Sequence, residues 1–239
     1  MKRIDGRELD ELRPVKLTTG FSKFAEGSCL IECGNTMVLC NASVEERVPK
    51  HVRSGGWITA EYSMLPRANR ERSRRDISRL KLAPRSAEIQ RLVGRSLRSA
   101  VDLELLGERE ITIDCDVLQG DGGTRTASVT GGFIALALAC RTLIREGLLA
   151  QMPIRSFVSG VSAGIVDGVP MLDLCYEEDS NAMVDLNCVM TDRGQIIELQ
   201  GTGEARPFTL EEEQQLVRLC QKGNAALVNL QREILGDLA

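Results

Sequence analysis

The sequence contains few aromatic residues and a single histidine. Aromatic residues make up 3% of the 239 positions, so Leu, Val, Ile and Ala must fill most of the interior. His51, the only histidine, lies between Lys50 and Val52, in a stretch that predicts an exposed loop. Acid–base mechanisms that need two histidines are therefore excluded, and we expect no Ser-His-Asp or Cys-His arrangement within one chain.

Long apolar runs and paired cysteine motifs are also absent. The sequence has no run of about 18 apolar residues, and its first residues lack the apolar segment of a signal peptide. We therefore expect a soluble, cytoplasmic protein with no membrane partner. The eight cysteines form no Cys-x-x-Cys pair, which predicts buried free thiols rather than a zinc site. They are Cys29, Cys33, Cys40, Cys115, Cys140, Cys175, Cys188 and Cys220.

Charge of one sign does not dominate either. The chain carries 30 basic and 34 acidic residues, a formal net charge of −4. Proteins that coat nucleic acid without specificity are usually basic, so any contact with a polyanion must come from a local basic patch. The hydrophobic content of 43% is enough for a buried core, in one large domain or in two tightly packed lobes.

Strand and helix patterns alternate along the first half of the chain. The predicted elements are a hairpin over 28–41, strands over 57–62 and 111–118, and helices over 88–106 and 127–146. Gly34-Asn35 supplies the two-residue turn of the hairpin.

The second half predicts two more hairpins and a final helix. Their turns are Asp167-Gly168 and Asp192-Arg193-Gly194, and Thr209 with Glu212 forms a capping box at the start of a long terminal helix. The fold class predicted from these elements is α+β, with two lobes of strands followed by helices. We place the lobes at 1–150 and 151–239.

Asp121-Gly122-Gly123-Thr124-Arg125-Thr126 is a glycine-rich loop between a predicted strand and a predicted helix. Glycines let the backbone approach a ligand, a helix start offers unpaired N–H groups, and Arg125 offers a planar fork for phosphate oxygens. The spacing fits neither a Walker loop nor a dinucleotide fingerprint. The alternative is a strand–helix connector with a capping threonine.

A carboxylate cluster follows in the second half, with Glu177-Glu178-Asp179 before a predicted strand and Asp185 within it. An aspartate inside an apolar strand is locally unfavourable, and a hard cation held by two carboxylates would explain it. The alternatives are a solvated acidic loop and a solvent-facing Asp185.

The third candidate is an arginine-rich segment over 67–85, predicted as a long, partly irregular excursion that Pro84 interrupts. It contains no aromatic residue, which argues against base stacking. It suits the backbone phosphates of a folded RNA or the carboxylates of a neighbouring subunit, and a solvated basic loop is the alternative. The segment contains Arg67, Arg70, Arg72, Arg74, Arg75, Arg79, Lys81 and Arg85.

Sequence motifs along nearly the whole chain resemble the ribonuclease PH family, and the Asp-Gly-Gly-Thr-Arg-Thr stretch is the most specific of them. The matching segments are Asp5-Gly6-Arg7, Leu12-Arg13-Pro14-Val15, Ala25-Glu26-Gly27-Ser28, 59–67, Glu88-Ile89-Gln90-Arg91-Leu92, 115–119, 121–128 and Glu198-Leu199-Gln200-Gly201-Thr202.

The resemblance implies a phosphorolytic 3′→5′ exoribonuclease, a tRNA nucleotidyltransferase that trims precursor tRNA and runs reversibly. Inorganic phosphate is then a co-substrate, Mg²⁺ the implied metal, and tRNA 3′ ends, with ribosomal RNA as a further candidate, the implied substrates. A homohexamer built as a trimer of dimers is the implied assembly.

The same resemblance assigns candidate site residues. The implied phosphate site is Arg85, Gly123, Thr124, Arg125 and Thr126, and the implied catalytic metal ligands are Asp179 and Asp185. Arg67, Arg72 and Arg75 fall on the family's assembly and RNA-binding positions.

Family members usually carry two glycines before the phosphate-site arginine, where this chain has Ala83-Pro84. Proline stiffens that approach and removes a backbone donor, which puts the placement of Arg85 in question. Two other functions remain open: a catalytically inactive ring subunit that only binds RNA, and a hydrolytic nuclease. The presence of Arg125, Asp179 and Asp185 together argues against the first, and the absence of a base to activate water argues against the second.

Overall fold

The computed structural model describes residues 3–75 and 81–238, and within these ranges it has the predicted α+β architecture. Arg79 of the arginine-rich segment lies outside the described residues. In chain order the elements are β1 (Val15–Thr19), β2 (Gly27–Cys33), β3 (Thr36–Glu45), β4 (Trp57–Met64), α1 (Pro84–Ser99), α2 (Leu103–Leu106), β5 (Glu110–Gln119), α3 (Thr124–Arg145), β6 (Val158–Val166), β7 (Val169–Leu172), α4 (Tyr176–Asp179), β8 (Val184–Thr191), β9 (Ile196–Gly203) and α5 (Leu210–Leu235).

The first sheet has the strand order β1-β2-β3-β5-β4, and β4 runs parallel to β5 while the other pairs are antiparallel. The predicted hairpin is confirmed: Cys33 pairs with Thr36, and Gly34 takes a positive φ of 55° in the turn between them. Strand β5 alternates buried and half-buried residues along its length, as expected for a strand with one face on the core.

The second sheet is antiparallel throughout, in the order β7-β6-β8-β9. Asp167 and Gly168 form the predicted turn between β6 and β7, with φ of 50° and 77°, the left-handed geometry that suits a two-residue hairpin. All residues of β6 are buried, because α3 and α5 both pack against this strand. The N-terminal segment also reaches this sheet, where the Leu172 N–H donates to the Leu9 carbonyl at 2.8 Å. The boundary between lobes at 150 stays a prediction.

Helix α3 is the central element of the core. It packs on strands of both sheets, and a Cβ placed on Gly27 of β2 would lie 2.0 Å from the Ala135 carbonyl oxygen. The helix is long and apolar enough to cross a membrane by length and composition, but 78% of its most apolar window is buried inside the protein. This burial explains why α3 is apolar on all its sides.

The helix predicted over 88–106 begins earlier and is divided. Pro84 is the first residue of α1 and therefore begins the helix instead of interrupting the chain. Asp102 then starts the separate helix α2 by accepting hydrogen bonds from the Glu104 and Leu105 N–H groups. At α5 the predicted capping box between Thr209 and Glu212 is confirmed.

The expectations for the cysteines and for His51 are also met. All eight cysteines are free and buried. His51 is exposed and meets the ring of Trp57 edge-on, with 5.1 Å between ring centroids.

Candidate active site

The glycine-rich loop joins β5 to α3 through two residues in left-handed backbone conformations. Gly122 and Gly123 have φ of 78° and 66°, and a Cβ on Gly122 would lie 2.4 Å from the Leu174 carbonyl oxygen. Glycine is therefore required at position 122 by backbone conformation and by space. No side chain of the described residues caps the N-terminus of α3, so its first N–H groups stay available to an anion. A connector capped by threonine is not what the chain forms here.

The start of α3 opens into a cleft of about 320 Å³. The cleft brings together six of the seven predicted phosphate and metal residues, from four elements far apart in sequence, and Thr126 does not line it. Its lining residues are Arg85, Gly123, Thr124, Arg125, Ser162, Asp179, Ser180, Ala182, Asp185, Asn187 and Glu204. The arrangement places two guanidinium groups and three carboxylates, those of Asp179, Asp185 and Glu204, around one space.

The guanidinium of Arg125 is held by Glu88 and Gln200, two residues that the family resemblance did not assign to the site. Its Nη1 donates to Glu88 Oε1 at 3.0 Å and to Gln200 Oε1. Gln200 Nε2 also donates to Glu88 Oε1 at 2.7 Å, which closes a three-residue network. The hydrogen bond from Gln200, together with the charge of Arg125, holds the pKa of Glu88 below its usual range. Glu88 therefore stays ionised beside Arg125 at neutral pH.

Arg85 lies in the first turn of α1, directly after Pro84, and lines the same cleft. It is exposed and makes no ion pair with the described residues. Proline at the first helical position removes only an N–H that has no helical partner, and its fixed φ suits the helix. The Ala83-Pro84 departure therefore leaves Arg85 at the cleft.

Thr124 contributes a hydroxyl that is already oriented. Its Oγ1 lies 2.9 Å from the hydroxyl of Tyr62 on β4, and both groups are buried. Burial raises the pKa of Tyr62, so this phenol stays protonated at neutral pH. The contact fixes the first residue of α3 against the first sheet.

The two predicted metal ligands lie on different elements of the second lobe. Asp179 is the last residue of α4, so the Glu177–Asp179 run forms one helical turn rather than a solvated loop. Asp185 is the second residue of β8, and its Oδ2 accepts from Asn187 Nδ2 at 3.0 Å. Burial and the charge of Asp179 raise the pKa of Asp185 to about 6, and burial also raises the pKa of Asp179.

A divalent cation fits this pair of carboxylates. The Oδ1 atom of Asp185 is buried and has no hydrogen-bond partner in the described structure, which is costly unless a ligand satisfies it. No group of three or more His, Cys, Asp or Glu with metal-site geometry occurs among residues 3–75 and 81–238. Mg²⁺ commonly takes one or two carboxylates and keeps several waters, so two carboxylates are enough for it.

The arginines predicted to serve assembly and RNA binding lie away from this centre. Arg67, Arg72 and Arg75 are exposed and do not line the cleft. Arg67 Nη1 donates to the Arg70 carbonyl at 3.0 Å, and Arg70 stacks over the ring of Tyr176 at 5.3 Å. The segment therefore contacts α4, whose other end carries Asp179, and the roles of its three predicted arginines stay predictions.

Several residues in the cleft, or in contact with its side chains, were not predicted to serve the site. Glu88 and Gln200 lie in segments that carry the family resemblance, but the resemblance assigned no role to either residue. Asn187 and Glu204 gave no signal, because a polar residue in a strand and an acid in a turn are ordinary surface features.

Several known proteins are similar to this chain. The models of the 3′ exoribonuclease family match residues 11–141 as domain 1 and 156–223 as domain 2. Ribonuclease PH of Moorella thermoacetica is 52% identical over 241 residues, covering 100% of this chain and 96% of the relative. The structure of rice (Oryza sativa) Rrp46 has a TM-score of 0.77 at 17% identity, over 98% of this chain and 100% of that chain. The Archaeoglobus fulgidus exosome with RNA bound to the active site has a TM-score of 0.79 at 23% identity, over 96% and 92%.

Proposed function

The chain belongs to the ribonuclease PH family of 3′ exoribonucleases, and from that membership we propose that it trims the 3′ ends of precursor tRNA with inorganic phosphate. The observation that carries the proposal is the cleft, in which Arg85, Arg125 and the start of α3 face Asp179 and Asp185. The arginines and the helix start suit anions, and the two carboxylates suit a cation. Phosphoryl transfer needs both, because it brings negatively charged groups together.

In the proposed reaction an oxygen of inorganic phosphate attacks the phosphorus of the terminal phosphodiester. The bond from that phosphorus to the 3′ oxygen of the preceding nucleotide breaks. A nucleoside 5′-diphosphate is released, and the new 3′ oxygen of the shortened RNA takes up a proton. Phosphate is already an anionic nucleophile, so the reaction needs no strong general base, in keeping with a chain whose only histidine is an exposed residue.

The chain's own residues bring anions together and hold them in line. Arg85 and Arg125 bind the attacking phosphate as charged donors, and the first N–H groups of α3 with the Thr124 hydroxyl complete its cradle. Glu88 and Gln200 hold Arg125 in place before the ligand arrives, so little reorganisation is needed on binding. Reverse addition of nucleotides from diphosphates uses the same groups.

Asp179 and Asp185 are proposed to hold Mg²⁺. A bound Mg²⁺ would neutralise charge that develops on the reacting phosphoryl group. The pKa of Asp185 near 6 and the Oδ1 atom that lacks a partner among the described residues support this assignment, because a cation would satisfy Oδ1 and favour the ionised form.

Assembly and location complete the proposal. We infer a homohexamer, a trimer of dimers, in which Arg67, Arg72 and Arg75 contact a neighbouring subunit and the body of the tRNA. Their exposure supports this role. The free thiols of all eight cysteines suit the reducing cytoplasm in which tRNA is matured, and ribosomal RNA is a further proposed substrate.

One experiment separates the three candidate functions. A tRNA with a short 3′ extension is incubated with the protein and Mg²⁺, with and without orthophosphate, and the mononucleotide products are separated. We expect shortening only with phosphate, nucleoside diphosphates as products, and a stop near the mature end, where the folded acceptor stem blocks entry. Nucleoside monophosphates in phosphate-free buffer would instead establish hydrolysis, and no product in either buffer would identify an inactive RNA-binding subunit.

A further inference from the structure

A buried network of arginines and carboxylates connects the first residues of the chain to both halves of the cleft. Its members are Arg3, Arg7, Arg13, Asp173 and Glu178. Arg3, Arg13, Asp173 and Glu178 are each at most 6% exposed. None of the five lines the cleft itself.

Arg13 fixes the glycine-rich loop from behind. Its guanidinium forms a two-point contact with Asp173, with Nε to Oδ2 at 3.1 Å and Nη2 to Oδ1 at 2.7 Å. The same guanidinium donates to the Asp121 carbonyl at 2.5 Å and to the Gly122 carbonyl at 3.4 Å. Both carbonyls belong to the turn that leads into the phosphate cradle. A planar fork with five donors makes these contacts together, and a lysine does not.

Arg3 fixes the helix that ends at Asp179. Arg3 Nε donates to Glu178 Oε1 at 2.8 Å and Nη2 to Oε2 at 2.5 Å. Glu178 Oε2 also accepts from the Cys175 N–H at 3.1 Å, which caps the start of α4. Arg3 therefore determines the position of Glu178, and Asp179 follows it directly.

Asp173 joins the two contacts. It has a positive φ of 52°, which a non-glycine residue adopts only when its surroundings hold it there. Its side chain binds Arg13, while its carbonyl accepts from Arg3 Nη2 at 2.9 Å and from Arg7 Nη2 at 3.1 Å. Asp173 thus lies between the two arginines, with its side chain on Arg13 and its carbonyl on Arg3.

We propose that residues 3–13 form an N-terminal strap whose Arg13 positions the phosphate loop through Asp173 and whose Arg3 positions Asp179 through Glu178. The strap residues touch neither phosphate nor metal and are positioning residues. The inference rests on the proposed function, because it concerns the same cleft, and it predicts that the two contacts affect different kinetic constants.

The test compares Arg13→Lys with the pair Arg3→Met/Glu178→Leu, assayed on the 3′-extended tRNA with varied phosphate and Mg²⁺. Arg13→Lys should raise the KM for phosphate about tenfold and leave the Mg²⁺ concentration for half-maximal activity within about twofold. The double variant removes both charges of the buried pair together, so that neither is left uncompensated, and should raise that Mg²⁺ concentration about tenfold with little change in the phosphate KM.

Loss of stability alone would not give this crossed pattern. Val228→Ala in α5, a buried position outside the strap, serves as the control; it should lower the unfolding midpoint and change neither constant. Equal changes in both constants for both variants, or no change in either, would overturn the strap. If the wild type made no nucleoside diphosphates from RNA and phosphate, the proposed function itself would fail instead.

Discussion

The charge of Asp185, a proposed cation ligand, is unfavourable in the free protein. Its neighbours are a second carboxylate and apolar strand residues, and its buried Oδ1 atom has no hydrogen-bond partner among the described residues. The folded state therefore disfavours the ionised form and binds a proton more tightly than the unfolded chain does. The contribution of Asp185 to stability is then greatest where Asp185 is protonated, and it falls as the pH rises from 3.8, the unfolded value, through the folded value of about 6.

Asp185→Asn should therefore stabilise the metal-free protein at neutral pH while abolishing activity. We expect a gain of about 2 kcal/mol in the free energy of unfolding with a chelator present, which shrinks as the pH is lowered towards about 4. Urea unfolding at neutral pH and at about pH 4 measures this gain, with the wild type as the reference. A loss of stability at neutral pH would show that Asp185 is not strained in the free protein.

Arg125 is held for binding before phosphate arrives, by Glu88 and Gln200. Arg125→Ala should lower phosphorolysis by about 2–4 kcal/mol of transition-state stabilisation, roughly 30- to 1000-fold, with the fold intact. Arg125→Lys keeps the charge without the fork and should recover only part of the activity. Turnover equal to wild type at saturating phosphate would remove Arg125 from the site.

At the scale of elements, the start of α1 differs from what the local sequence suggests. A proline before a binding arginine reads as an interruption, yet Pro84 begins the helix and restricts the backbone that carries Arg85. The fixed φ lowers the entropy of the unfolded chain, and it also limits the positions that Arg85 can adopt.

Replacement of Ala83-Pro84 by Gly-Gly should therefore weaken both stability and phosphate binding. We expect a loss of about 1–2 kcal/mol in the free energy of unfolding and a rise of a few-fold in the KM for phosphate, with the KM for RNA unchanged. Pro84→Ala restores the backbone donor without the flexibility of glycine. Its free energy of unfolding and its KM for phosphate should lie between those of the wild type and the double variant. A lower phosphate KM in the Gly-Gly variant would show that the proline holds Arg85 away from its best position.

For the whole molecule, the arginine-rich segment carries the proposed assembly. Charge reversal with Arg72→Glu and Arg75→Glu should lower the particle mass in light scattering and weaken tRNA binding more than cleavage of a short oligonucleotide. The reason is that the short substrate needs only the cleft, which these exposed side chains do not line. The matched control is Arg47→Glu, since Arg47 is exposed and lies in the loop after β3. A wild-type particle with the mass of one chain would end the hexamer proposal.

The sequence by itself determined the elements and the chemistry of the candidate site. Alternation in β5, the turns at Gly34 and Asp167-Gly168, and the capping box at Thr209 are local patterns, so the hairpins and the terminal helix could be predicted. The family motifs also predicted the glycine-rich loop and both carboxylates as candidate site residues, since each is carried by a short stretch of residues.

Tertiary structure decided what those residues do together. The hydrogen bonds from Arg125 to Glu88 and to Gln200 span separations of 37 and 75 residues, and Arg3 reaches Glu178 across 175. No local pattern encodes such contacts, because they arise only when packing of α3 between the two sheets brings distant elements to one cleft. The raised pKa of Asp185 has the same origin, since burial and the nearness of Asp179 are properties of the folded chain.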